Sequence, residues 1–116
     1  MIIAIPVDAA DQVAHGWGRA PRIALATVAD AAITGWQVHD VGWDVAHDDG
    51  TEGSHHARVV RFLKDNAVEM VVAEHMGDGM VRTLGSMHLP VVLGAAGDAR
   101  ASVLAALDEV DGPAPS

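Results

Sequence analysis

The 116-residue sequence has no cysteine and no tyrosine, one phenylalanine and three tryptophans. Without thiols it can build neither a disulfide framework nor a thiolate zinc site, and it offers no Cys ligand to an iron–sulfur cluster. Any soft metal held here must take histidine or methionine as its donor. Basic residues are scarce too: seven Lys and Arg stand against sixteen Asp and Glu, a formal net charge of -9. Such a chain lacks the basic stripe that neutralises phosphates, so neither nucleic acid nor an anionic membrane surface is an expected partner. No apolar run approaches the roughly 18 residues of a membrane span. The amino terminus, MIIAIPVDAADQ, carries no basic leader, and a cytoplasmic protein is expected.

Half of the residues are hydrophobic, enough for one compact domain over 1–110 with a largely aliphatic core. The last stretch, 111–116 (DGPAPS), has two prolines and no apolar face and reads as a disordered tail. Histidine is the unusual surplus, with seven residues, as many as Lys and Arg together.

Local patterns predict β-β-β-α-β-α-β-α. Ile2 to Val7 is a short β-branched run, Arg22 to Val28 alternates two apolar sets, and Ile33 to Val41 follows a turn near Asp30, giving a hairpin. Residues 42–53 read as a Gly/Asp-rich loop. From Ser54, an N-cap candidate, a helix runs to about Asn66 with His56, Val59, Val60, Leu63 and Ala67 on its apolar face. On this reading His55 points aside. A strand over 69–74, a helix over 79–87, a strand over 90–93 and a helix from Asp98 to about Glu109 complete the chain. Right-handed βαβ crossovers after a hairpin give a five-stranded mixed α/β sheet, order 3-2-1-4-5, with helices on both faces, as in ribonuclease-H-like folds. The segments leaving strands 1, 3, 4 and 5 then meet at one edge, where ligands bind in open α/β sheets. His15, His47, His55, His56 and His75 all fall on those segments.

Four motifs carry chemistry. DVAHDDGTEGSHHARV, 44–59, sets His47, His55 and His56 among acids, as transition-metal ligands with Asp44, Asp48 or Asp49 beside them. The alternative is a solvated acidic loop with local hydrogen bonds. EHMGDGMVRTLG, 74–85, places His75 and Met76 before a Gly77-x-Gly79 turn that opens a helix, suited either to a ligand or simply to a tight βα connection. GAAGDAR, 94–100, has the same ambiguity, with Asp98 as a helix cap. GWGRAP, 16–21, holds Trp17, Gly18 and Arg19; Arg19 either grips an anionic group or pairs with a neighbouring acid, and Trp17 either covers a pocket or packs over the sheet end.

Taken together, IIAIPVD at the start, GRAP at 18–21, GSHHARVVRFLKDNAVEMVVAEHMGDGM at 53–80 and LPVVLGAAGDAR at 89–100 resemble the dinitrogenase iron-molybdenum cofactor biosynthesis family over roughly residues 2–107. The resemblance implies a ribonuclease-H-like fold and a non-enzymatic carrier of the iron-molybdenum cofactor or its precursor cluster. It also implies cofactor-binding residues: His15, Trp17, Gly18, Arg19, His75, Met76, Gly77 and Gly79. The family's His-Phe-Gly-Arg-Ala-Pro stands here as Gly16-Trp17-Gly18-Arg19-Ala20-Pro21, so the histidine is displaced by one position to His15. Its Met-Gly-Pro-Gly stands as Met76-Gly77-Asp78-Gly79.

The expected cargo is thus an iron-molybdenum or iron–sulfur type cluster, or a single transition metal, exchanged with a donor or acceptor protein. A homodimer through a sheet edge is compatible with this pattern. Two other classes fit the sequence. One is an interaction domain with a vestigial ligand edge; the other is a two-metal nuclease using Asp8, Glu74 and Glu52, against which the acidic surface argues.

Overall fold

A computed structural model of the chain describes residues 1–46 and 52–111. Its elements are β1 (Ile2–Val7), β2 (Arg22–Ala29), β3 (Ala32–Asp40), α1 (Trp43–Ala46), α2 (Glu52–Asp65), β4 (Met70–Val72), α3 (Asp78–Ser86), β5 (Val91–Val92) and α4 (Ala99–Asp111). The strands form one mixed sheet in the order β3-β2-β1-β4-β5, as the sequence pattern predicts. β1 pairs antiparallel with β2 and parallel with β4, and β5 runs parallel to β4. The carboxyl ends of β1, β3, β4 and β5 therefore share one edge.

Two apolar layers sandwich the sheet, and alternation along each strand decides which residue enters which layer. Ala4, Ile23, Leu25 and Val71 face Val59 and Leu63 of α2 and Met80 and Leu84 of α3. Ile3, Ile5, Ala24, Ala26, Val28 and Val72 face Ala99, Val103, Ala106 and Leu107 of α4. β1 sits centrally and is buried from Ile3 to Val7, which is why its run is apolar without alternation.

The β2–β3 hairpin closes on Asp30 and Ala31, both with positive φ (52° and 61°). This is the backbone of a type I′ turn, whose twist matches that of the flanking strands. Beyond it the register slips by one residue: Val28 faces Ile33, whereas Thr27 faces Gly35, leaving Thr34 as the extra residue of a β-bulge. Ile33 and Trp36, three apart, consequently both pack on the α4 side.

Several boundaries differ from expectation. Residues Trp43–Ala46, expected as loop, form a short helix because Trp43 is drawn into the core at 1% exposure and its N–H bonds Ala20 O. α2 begins at Glu52, so Ser54 lies within its first turn rather than capping it. Its buried stripe is His55, Val59 and Leu63, with half-buried Phe62; His56 is only half-buried. The two candidate stripes share Val59 and Leu63, and Ala67, which favoured His56, lies past the helix end. β4 and β5 are shorter than expected, at three and two residues. Asp98 does cap α4, accepting the Ala101 N–H at Oδ2 (2.9 Å). His47 and the tail beyond Asp111 lie outside the described residues.

Candidate functional site

The loop after β1 organises the edge. Asp8 ends the strand and turns the chain, its Oδ1 accepting the N–H groups of Ala10 (2.8 Å) and Gln12 (3.1 Å). The proposed nuclease carboxylate is thus engaged with its own turn, and the Glu52 side chain lies outside the described residues. Val13 N–H then bonds Gly97 O (2.8 Å), tying the loop to the segment after β5. Trp17 N–H bonds His75 O (3.1 Å), tying it to the segment after β4. Between these ties the chain passes Gly16, whose φ of +78° is a conformation that glycine adopts without strain.

His15 stands on this loop with its side chain 87% exposed, and its Nδ1 is 2.7 Å from Oε1 of Glu74, itself 38% exposed. His75 follows Glu74 and is exposed; Gly77, Asp78 and Gly79 are exposed beside it. The structure therefore brings His15, Glu74, His75 and the glycine turn to one stretch of surface. Gly77 is the N-cap of α3 with φ -65° and ψ 152° and no side-chain cap bond. A Cβ added there would meet nothing within 4 Å. Its glycine is therefore required neither by φ nor by crowding inside the chain. In GAAGDAR, by contrast, Gly94 and Gly97 have φ of +86° and +81°, so the conformational reading suffices for them.

Other expected residues lie deeper. Met76 is buried, at 4% exposure, in the layer that holds Met80 and Trp17. Trp17, at 1% exposure, packs over the sheet end instead of covering a pocket. Its ring meets Trp43 edge-on, with centroids 5.3 Å apart. The Trp17 Nε1–H has no hydrogen-bond partner among the described residues. Arg19 is exposed on the same loop, and Gly18 is half-buried.

His55 has a different environment from His15. It is 2% exposed, and its Nε2 donates to Gly18 O at 2.6 Å. Arg58 Nη1 donates to its Nδ1 at 3.0 Å. A carbonyl only accepts and a guanidinium only donates, so the pair of contacts suits a neutral ring with its hydrogen on Nε2. The ring also lies edge-on to Trp43, with centroids 6.2 Å apart. His55 thus fastens α2 to the Gly18–Pro21 loop with both nitrogens engaged. Arg58, exposed on α2, is a partner that periodicity alone does not reveal. His55 is buried and His56 half-buried, and among the described residues no three His, Asp or Glu side chains are grouped closely enough to hold a metal ion.

The exposed histidines and the open glycine turn lie at the sheet edge where ligands bind in open α/β folds generally. A family model described as dinitrogenase iron-molybdenum cofactor matches residues 1–110, and the chain belongs to that family. No curated protein matches it. Among solved structures, the crystal structure of PH0822 aligns with a TM-score of 0.74 at 20% identity, covering 94% of this chain and 90% of that one. A candidate dinitrogenase of Methanocaldococcus jannaschii aligns with a TM-score of 0.68 at 12% identity over 94% and 89% of the two chains. A candidate NifB protein of Thermotoga gives 0.66 at 20% identity over 93% and 87%. At these identities the likeness is one of fold. No helix among the described residues is long and apolar enough to cross a membrane.

Proposed function

We propose that the protein is a non-enzymatic carrier of a metal cluster of the iron-molybdenum cofactor class, taken from a donor protein and passed to an acceptor at the edge formed by the loops after β1 and β4. The observation that carries this reading is the contact of His15 with Glu74, with exposed His75 next in the chain, beside a glycine that the chain's own packing does not require. Imidazole donors suit iron without thiolate. A preassembled cluster brings its own bridging sulfides, so the carrier needs to supply only terminal donors, and His15 and His75 are those donors here. Space at Gly77 allows the cargo to approach the backbone at the start of α3. The net charge of -9 keeps such a carrier off nucleic acid.

The test is loading. Untagged protein is incubated with isolated iron-molybdenum cofactor under anaerobic conditions, desalted, and assayed for iron and molybdenum. Wild type is expected to retain both metals in a fixed ratio, and the His15→Ala/His75→Ala variant to retain neither. Equal retention by the two proteins, or none by wild type, refutes the reading.

A further inference from the structure

The contact between His15 and Glu74 fixes more than the position of a ring. A carboxylate oxygen only accepts, so at 2.7 Å from Glu74 Oε1 the Nδ1 of His15 must carry a hydrogen. In the neutral ring the lone pair then resides on Nε2, the far atom of a side chain that is 87% exposed. His15 and His55 are therefore of opposite tautomer. His55 points its hydrogen-bearing Nε2 inward at Gly18 O, whereas His15 turns a bare Nε2 outward. The loop that carries His15 is held against the strand end that carries Glu74 through the Trp17 N–H bond to His75 O.

We propose that Glu74 is a positioning residue for His15: it selects the Nδ1–H tautomer and orients the ring so that Nε2 is offered as a donor to a metal. A surface pair this exposed contributes little to folding stability, which leaves orientation and donor strength as its effects. Carboxylates that accept from a ligating histidine act in this way on metal sites, and their loss typically costs 10–100-fold in affinity. The proposal rests on the carrier reading for the identity of the cargo, and on the His15–Glu74 geometry alone for the tautomer.

Two readouts test it. First, two-bond ¹H–¹⁵N correlation spectra of the imidazoles are recorded on metal-free protein at a pH where the rings are neutral. His15 is expected to show a bare Nε2 in wild type and in Glu74→Gln, whose amide oxygen still accepts. Glu74→Ala is expected to shift His15 towards the Nε2–H form and to leave the His55 signals unchanged. Second, cobalt(II) chloride is titrated as a probe. Glu74→Ala should bind it 10–100-fold more weakly than wild type, with Glu74→Gln in between. Adding Glu74→Ala to His15→Ala should cost nothing further, because the two residues act as one unit. An unchanged His15 tautomer in Glu74→Ala, an unchanged cobalt affinity, or no cobalt binding by wild type overturns the proposal. The expected tautomers and cobalt affinities in a protein that takes up no iron-molybdenum cofactor would instead overturn the carrier reading and leave the role of Glu74 standing.

Discussion

Replacing His55 by alanine separates fastening from ligation. The side chain is 2% exposed, and its hydrogen bonds include one to Gly18 O at 2.6 Å and one from Arg58 at 3.0 Å. Each such bond contributes about 1 kcal/mol net. Removing the ring also leaves a space beside Trp43 and Val59, and large-to-small changes at such sites cost about 2 kcal/mol or more. The sum is a loss of about 3–4 kcal/mol, a large share of the roughly 5–15 kcal/mol that holds an ordinary domain together. His55→Gln, whose amide nitrogen reaches about as far as Nε2, should keep the bond to Gly18 and recover about 1 kcal/mol. The assay is urea unfolding at neutral pH followed by tryptophan fluorescence, which reports on the Trp17–Trp43 pair together with Trp36. A His55→Ala variant within about 0.5 kcal/mol of wild type, below the weakest single hydrogen bond invoked, would refute the reasoning. So would a His55→Gln variant no more stable than His55→Ala.

Three further substitutions test individual elements. Ala31→Gly removes a left-handed strain of roughly 1–2 kcal/mol at a cost of roughly 0.4–1 kcal/mol in chain entropy. A net gain of about 0.5–1 kcal/mol in thermal unfolding is expected. Asp98→Ala deletes the cap on α4 and should cost about 1 kcal/mol by urea unfolding. Gly77→Ser should act in opposite directions on stability and loading. Serine is the better N-cap at this extended φ and ψ, raising stability by a few tenths of a kcal/mol, while its side chain enters the open space and lowers cofactor retention. A joint rise or a joint fall would count against the role given to Gly77.

The sheet order was legible because the strands advertised their environment: an unbroken apolar run for central β1, two alternating apolar sets for β2, and a short turn near Asp30 between β2 and β3. The edge was legible for the same reason, since strand direction alone carries His15 and His75 to it. What the sequence obscured was which histidine serves which purpose. Periodicity along α2 favoured His56 for the buried stripe, and His55 takes that place instead because Gly18 O and Trp43, 37 and 12 residues away in the chain, engage it. Met76 reads as a surface donor in its motif, yet the turn into α3 folds it beneath the edge. Glu74 was visible as a carboxylate ending a strand, but its pairing spans 59 residues and has no local signature.

The bulge at Thr34 makes β3 a strand read in two frames. Between Arg22 and Thr27 the paired residue numbers sum to 62, as in Thr27 with Gly35; beyond the bulge they sum to 61, as in Val28 with Ile33. Deleting Thr34 would merge the frames into one regular ladder, with Ile33 and Trp36 still on the α4 side and the turn at Asp30–Ala31 untouched. Deleting Gln37 instead would invert every side chain on one side of the cut relative to the other. The hairpin thus contains one position at which the chain can shorten by a residue without exchanging its wet and dry faces, at the end of the strand remote from His15 and Glu74.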